Sequence, residues 1–396
     1  MKVLLINSVC GIGSTGRICT DLALALESQG HEAKIAYGRN GNSPNYDEQK
    51  TIRIGTSFDV RVHGVETRLF DKHGFGSLKA TNNFLKEIDK YSPDIIHMHN
   101  LHGYYINVES LFKYVKEKQI PVVWTLHDCW AFTGHCTHFD RVSCEKWKSG
   151  CYKCEQKSLY PTSILDCSKS NYVRKKKAFC GVDNMILTTP SKWMKSFIEM
   201  SFLRNYAVKI VPNGIDTTVF KKEKSNIRRA FNISEKYIVL GVSSGWPETK
   251  RLAHFVRLSH DLGDDYKVVV IGISEEQRKE LPKNMIGLLK TTNVQELVGW
   301  YSEASVFLNP TVEDNYPTVN LEAQACGTPV ITYRTGGSPE TITPGYGIIL
   351  EKDDYNGLVD ATIRLCKEGK PNISSNIKDR IECANDFIKI YEEILS

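Results

Sequence analysis

In the stretch EDNYPTVNLEAQACGTPVITYRTGG, residues 313–337, two carboxylates flank the start of a short helix: Asp314 in the loop before it and Glu322 on its second turn. Pro317 presets a first-turn φ, and Gly327 with Pro329 ends the helix, which is expected over Thr318–Cys326. Val306–Leu308 and Val330–Tyr333 are apolar runs of strand length on either side, so the segment reads as one strand–loop–helix–strand unit of a parallel sheet. The first amides of such a helix have no intrahelical acceptor and lie at the positive end of its dipole. Thr318, Val319 and Asn320 are therefore expected to offer amides to a diphosphate. Glu322, on the same face as Thr318, would accept from ribose hydroxyls, and Asp314 from other sugar hydroxyls. An anion cradle with two carboxylates is what a sugar nucleotide requires. The bland alternative is a solvated loop acid at Asp314 and a surface helix residue at Glu322.

A second glycine-rich turn, Gly11-Ile12-Gly13-Ser14-Thr15-Gly16, follows an expected strand Lys2–Ser8 and opens an amphipathic helix Arg17–Gln29. It matches G-x-G-x-x-G, the dinucleotide fingerprint. That site wants an acid at the end of the next strand, Lys34–Tyr37, where this chain has Gly38-Arg39. Arg39 suits only a 2′-phosphate, which leaves an NADP-dependent oxidoreductase as an alternative. His97, His99 and His102 follow one another near the end of an expected strand Ile95–Met98, and H-x-H-x-x-H there is a poor metal ligand set. His127 ends the strand Val122–Leu126 and points to the ligand-binding edge of a parallel sheet. Cys136, Cys144, Cys151 and Cys154, spaced C-x7-C-x6-C-x2-C, suggest a structural zinc, with His135 and His138 as alternative ligands. Four thiolates would leave no open position for catalysis; the other reading is free thiols or a redox pair. Arg174, Lys175, Lys176 and Lys177 in a helix Ser168–Cys180 read either as a solvated face or as a dock for anionic lipid headgroups.

The elements that must position these residues follow from length and pattern. A chain of 396 residues, 41% hydrophobic and 24% charged, holds two α/β domains, each with a core. The net charge of +5 is too small to imply a nucleic-acid partner. No apolar run reaches the ~20 residues of a membrane span, and the N-terminus reads as a first strand rather than a signal peptide. Twelve cysteines argue for free thiols or metal in a cytoplasmic setting. Pro212-Asn213-Gly214 is a turn that marks a domain boundary. The expected domains are 1–212, with a cysteine-rich insert at about 129–160, and 213–383, with a final helix 384–396 crossing back onto the first. Residues 40–80 read as an irregular, acceptor-side or merely surface excursion, followed by a helix Phe84–Tyr91.

EDNYPTVNLEAQACGTPVITYRTGGSPE resembles the nucleotide-sugar signature of family 4 retaining glycosyltransferases, in which two acids seven residues apart precede an EA-x-ACG-x-PVI run. TLHDCWAFTG, PNGID and GGSPE resemble further segments of that family. The resemblance spans nearly the whole chain. It implies the GT-B fold, two Rossmann-like domains facing a central cleft, and transfer of a sugar from a UDP- or GDP-sugar to a carbohydrate or lipid-linked acceptor with retention. In that picture Lys250, His127 and Asp314 serve catalysis. Gly16, Arg251, Thr318, Val319, Asn320 and Glu322 bind the donor, and His127 contacts its sugar. Two positions depart from the family pattern: Asp314 replaces its first Glu, and Gly245 stands where its phosphate-binding Arg would be, leaving Arg251 as a substitute. No D-x-D motif sits at a strand end, so catalysis is expected to need no metal cofactor. A surface-polysaccharide role and a peripheral contact with the inner face of the membrane are what the relatives imply. A non-catalytic nucleotide-sugar-binding protein is the remaining alternative.

Overall fold

The structure is a computed structural model that describes residues 1–39, 46–372 and 376–396. It divides into two compact units, Met1–Pro212 with Arg380–Ser396, and Asn213–Asp379. The chain thus returns to the first unit at Arg380, a few residues before the expected 384.

The first unit runs β1 (Lys2–Asn7), α1 (Gly13–Ser28), β2 (Glu32–Tyr37), β3 (Thr51–Arg53), α2 (Ser57–Phe70), α3 (Leu78–Tyr91), β4 (Ile95–Met98), α4 (Val108–Lys118), β5 (Val122–Thr125), α5 (Ser168–Phe179), β6 (Met185–Thr189), α6 (Lys192–Met200) and β7 (Ala207–Ile210). Its seven strands are all parallel in the order β3-β2-β1-β4-β5-β6-β7. β1 shows why both faces need helices. Val3 and Leu5 join one apolar cluster, and Leu4 and Ile6 the other, so side chains of alternating direction are all buried.

The second unit runs α7 (Ile227–Ala230), β8 (Tyr237–Val242), α8 (Leu252–Asp261), β9 (Tyr266–Ile271), α9 (Glu275–Glu280), β10 (Ile286–Leu288), α10 (Val294–Glu303), β11 (Val306–Asn309), α11 (Thr318–Ala325), β12 (Val330–Tyr333), β13 (Gly347–Leu350) and α12 (Tyr355–Glu368). Its six strands are parallel in the order β10-β9-β8-β11-β12-β13. The final helix α13 (Arg380–Leu395) belongs to the first unit. It buries Phe387, Ile390 and Tyr391, and the Tyr391 hydroxyl meets His97 Nδ1 at 2.6 Å.

The irregular stretch expected over 40–80 is corrected: β3 and the fourteen-residue α2 lie within it, α3 begins at Leu78, and residues 40–45 lie outside those described. α2 has a capping box, Thr56 with Asp59, yet buries only His63 and Thr67. Its larger apolar residues face solvent, so the sequence lacked the inward stripe by which a helix against a core is recognised.

Candidate functional site

In the second unit the loops after β8, β11 and β12 are stitched together at the carboxyl edge of the sheet. The Val312 amide donates to the Thr249 carbonyl at 3.0 Å, and the Gly337 amide to the Asp314 carbonyl at 3.0 Å. Gly336, at φ 56°, lies so close that a Cβ there would stand 1.9 Å from the Asp314 carbonyl oxygen. The glycine pair therefore fixes the height of the Asp314 loop. These constraints bring Lys250 Nζ to 2.7 Å from Asp314 Oδ2, with side chains 22% and 25% exposed. The pair is partly open, so each group retains faces for a ligand.

Thr318 and Val319 head α11 beside this pair, half-buried, at the end of the helix where amides face outward. Asn320 is different. Its amide donates back to the Pro317 carbonyl at 3.2 Å. Its buried side chain accepts from Asn309 at 2.9 Å and donates to Thr341 at 2.8 Å. The diphosphate role expected for Asn320 is thus replaced by a structural one, locking α11 to β11. Glu322 is not a surface residue: it is 3% exposed and accepts from the Tyr301 hydroxyl at 3.0 Å. Arg251, expected as the second phosphate cation, turns away. It takes φ 55° at the start of α8 and forms a two-pronged bond to Asp353, both contacts 2.8 Å. Gly245, where a family arginine was sought, has φ 90°, a conformation that strains any L side chain.

In the first unit, Gly16 opens space for the loop's own backbone. A Cβ there would meet the Gly11 nitrogen at 3.2 Å, and the Gly11 amide donates to the Gly16 carbonyl at 3.2 Å. The glycines thus fold the loop onto α1. Arg39 stacks its guanidinium 5.9 Å from the Tyr104 ring.

The three histidines at the end of β4 have different polar partners, although the His97 and His99 rings pack with centroids 4.1 Å apart. His97 lies between Tyr391 and Thr125, its Nε2 2.7 Å from Thr125 Oγ1. His99 Nδ1 is 3.0 Å from His127 Nε2, with the two rings stacked. His102 Nε2 is 2.6 Å from Asp128 Oδ2, and its Nδ1 is 3.2 Å from the Tyr160 hydroxyl. Burial pushes His127 down to about 4, helped by the neighbouring His102 and opposed by Asp128, so it is neutral at physiological pH. Burial alone would raise Asp128, but the charge and hydrogen bond of His102 prevail and hold it at about 2. The sequence did not bring His102, Asp128 and Tyr160 together. The signal was present in the HD pair at a strand end, but Tyr160 comes from the irregular insert and no periodicity announces it.

Packing bears on two further expectations. Lys175 of the basic stretch is buried, with Nζ on the carbonyls of Trp130 at 2.7 Å and Thr133 at 3.1 Å. Arg174 is paired with Glu109 at 2.6 Å. Half of the proposed lipid-docking charge on α5 therefore faces protein. No disulfide joins any of the twelve cysteines, and Cys136, Cys144, Cys151 and Cys154 line one small cavity with His135. Among the described residues no group of three or more His, Cys, Asp or Glu side chains is arranged to hold a metal ion, and no helix is long and apolar enough to cross a membrane.

Comparison with known proteins agrees with this architecture. The family model "Glycosyltransferase Family 4" matches residues 15–219, and "Glycosyl transferases group 1" matches residues 223–380. The putative colanic acid biosynthesis glycosyl transferase WcaC of Escherichia coli is 23% identical over 395 residues, covering 95% of this chain and 92% of that one. Among solved structures, sucrose-phosphate synthase from Thermosynechococcus elongatus superposes with a TM-score of 0.67 at 17% identity, covering 100% of this chain and 96% of that one. Anabaena Alr3699/HepE in complex with UDP-glucose gives 0.66 at 13%, covering 99% and 100%. Both likenesses concern the fold, which is GT-B. A glycine-stitched Lys–Asp pair before a short helix, on the second of two parallel-sheet units, together with a family match that spans half the chain, leaves one conclusion: this protein belongs to glycosyltransferase family 4.

Proposed function

We propose that the protein transfers a hexose from a nucleoside diphosphate sugar to a carbohydrate or lipid-linked acceptor, with retention of anomeric configuration, in the assembly of a surface polysaccharide. The observation that carries this reading is the Lys250–Asp314 pair beside the N-terminus of α11. Lys250 and the amides of Thr318 and Val319 neutralise the leaving diphosphate. Asp314 accepts from hydroxyls of the transferred sugar, and Glu322 accepts from ribose. No carboxylate stands as an evident nucleophile, so retention follows from same-face attack, with the departing diphosphate taking the acceptor proton. The work of the chain is then electrostatic positioning, and it needs no metal cofactor. The test is proton NMR of the product formed from an α-linked donor. An α-product supports the proposal; a β-product, or no turnover of any UDP-, GDP- or ADP-sugar, overturns it.

A lipid-linked acceptor is favoured by one further observation. Phe58 is 73% exposed, Val65 57% and Ile164 62%, with Val62, Leu69, Phe70 and Leu165 also exposed. Spacing of three and four residues puts Phe58, Val62, Val65 and Leu69 on one face of α2. Ile164 is tied to it by its amide bond to the Arg68 carbonyl at 2.7 Å. Exposed Arg61, Arg68, Lys72 and Lys79 border this face. An apolar stripe with basic flanks matches an anionic lipid surface. Co-sedimentation with anionic but not zwitterionic vesicles, lost in Phe58→Ser/Leu69→Ser, is expected. Equal sedimentation of wild type and variant would refute this surface.

A further inference from the structure

Residues 126–167, between β5 and α5, contain only three short 3₁₀ turns, at Cys129–Phe132, Asp140–Val142 and Lys146–Lys148. Ordered stretches of this length without regular structure are uncommon beyond about 12–15 residues, and they need an internal support. Part of the support is aromatic: Phe139 stacks on Trp147 at 4.9 Å, and both pack on Phe197. Beside this cluster lies a cavity of about 20 Å³ lined by Cys136, Cys144, Cys151, Cys154 and His135. It has room for one water-sized guest and for no organic ligand.

Three observations point to a cation. His135 is buried, and its Nδ1 lies 2.6 Å from Asp71 Oδ1, while its Nε2 has no partner. A carboxylate on one ring nitrogen leaves the other lone pair directed at the cavity, the arrangement found behind metal-binding histidines. The Gly134 amide donates to Cys151 Sγ at 3.1 Å, so the backbone fixes that sulfur at the cavity wall. Gly134 is required for this approach, since a Cβ would stand 2.1 Å from the Ser168 carbonyl oxygen. Finally, Cys136 and Cys154, from two arms of the insert, line the same cavity as Cys144 and Cys151.

We propose that this cavity is a structural zinc site. The thiolates of Cys136, Cys144, Cys151 and Cys154 are the ligands, and His135 Nε2 is the remaining donor on the wall. In this structure the four sulfurs line the cavity but are not drawn in to metal-binding distances. Closure takes four S–H bonds to four Zn–S bonds around one Zn²⁺, with release of four protons and no change of oxidation state. The site is remote in chemistry from the donor site, so its failure leaves the transfer reading intact.

Metal analysis of the full-length protein, purified without chelator, is expected to give one zinc per chain. Cys151→Ser and Cys154→Ser should lose it, and Cys366→Ser, in the second unit, should keep it. Because the serine variants risk misfolding, two measurements use wild type. Titration with an organomercurial should release zinc to a colorimetric chelator as these thiols react. Exchange into Co²⁺ should give the thiolate-to-cobalt charge-transfer and tetrahedral d–d bands. Wild type without zinc above background, or with a disulfide among the four cysteines after purification in air, would overturn the proposal. Full zinc content in both serine variants would overturn it equally.

Discussion

The Lys250–Asp314 pair makes a prediction of opposite sign for two ligands. In the free protein Asp314 occupies the cation that a diphosphate must recruit. With both side chains about one-quarter exposed and 2.7 Å apart, the pair contributes roughly 1 kcal/mol. Asp314→Ala should free Lys250 and tighten binding of the bare nucleoside diphosphate about 5-fold. The same change removes a charged acceptor from the sugar, a hydrogen bond of about 1.5–3 kcal/mol. The net for the sugar nucleotide is then a loss of about 0.5–2 kcal/mol, or roughly 2- to 30-fold weaker binding. Lys250→Ala should weaken both ligands. Isothermal titration of wild type, Asp314→Ala and Lys250→Ala with a nucleoside diphosphate and its sugar conjugate measures all six values. The Asp314 loop is held through its backbone by Gly336 and Gly337, so the truncation leaves its course intact. Equal weakening of both ligands in Asp314→Ala would refute the reasoning, because Asp314 would then serve the nucleotide rather than the sugar.

Other consequences follow from individual contacts. Gly336→Ala forces a Cβ against the Asp314 carbonyl and should cost about 1–3 kcal/mol of stability, with turnover falling further than the fraction unfolded explains; turnover unchanged per folded molecule would contradict it. Tyr301→Phe strips one donor from buried Glu322 and should cost about 1–3 kcal/mol by urea denaturation and weaken donor binding several-fold. Burial holds His63 at about 4 against the opposing Lys72 carbonyl, whereas the unfolded chain binds that proton below about 6.5. The unfolded state is therefore favoured as pH falls from about 6.5 to 4, and His63 alone should remove about 3 kcal/mol over that window and nothing further below it. His127 has the same sign. His63→Gln should flatten that part of the stability–pH curve; an unchanged slope would sink the assignment.

Most central strands were legible because they are short apolar runs, and bounds such as Ile95–Met98 and Val330–Tyr333 needed no revision, whereas the short edge strand Thr51–Arg53 has no such run. The helices were less so. α2 turns its apolar face to solvent, whereas α4 is amphipathic and capped by the Asn107 side chain. At the site, Lys250 and Asp314 were legible as types at a spacing. Their contact was not, because the two lie 64 positions apart and it depends on the Gly336–Gly337 turn holding the Asp314 loop. Arg251 and Asn320 misled for the same reason. A cation beside a phosphate loop and an amide at a helix start look free in a sequence, and only tertiary structure supplies Asp353 and Pro317 as partners. The His102–Asp128–Tyr160 group joins three loops, and only the HD pair after β5 leaves a local trace of it.

The most direct test of the central claim, a nucleotide-sugar site on the second unit built on Lys250 and Glu322, is a thermal-shift panel. Wild type, Lys250→Ala and Glu322→Gln are screened with UDP, GDP, ADP, their sugar conjugates and NADPH. Saturating ligand at about 100-fold its Kd stabilises by about 2.7 kcal/mol, a readable shift. The account predicts that one nucleoside diphosphate and its sugar conjugate stabilise wild type and that both variants lose most of that shift. Stabilisation by NADPH alone, or an undiminished shift in both variants, would contradict it.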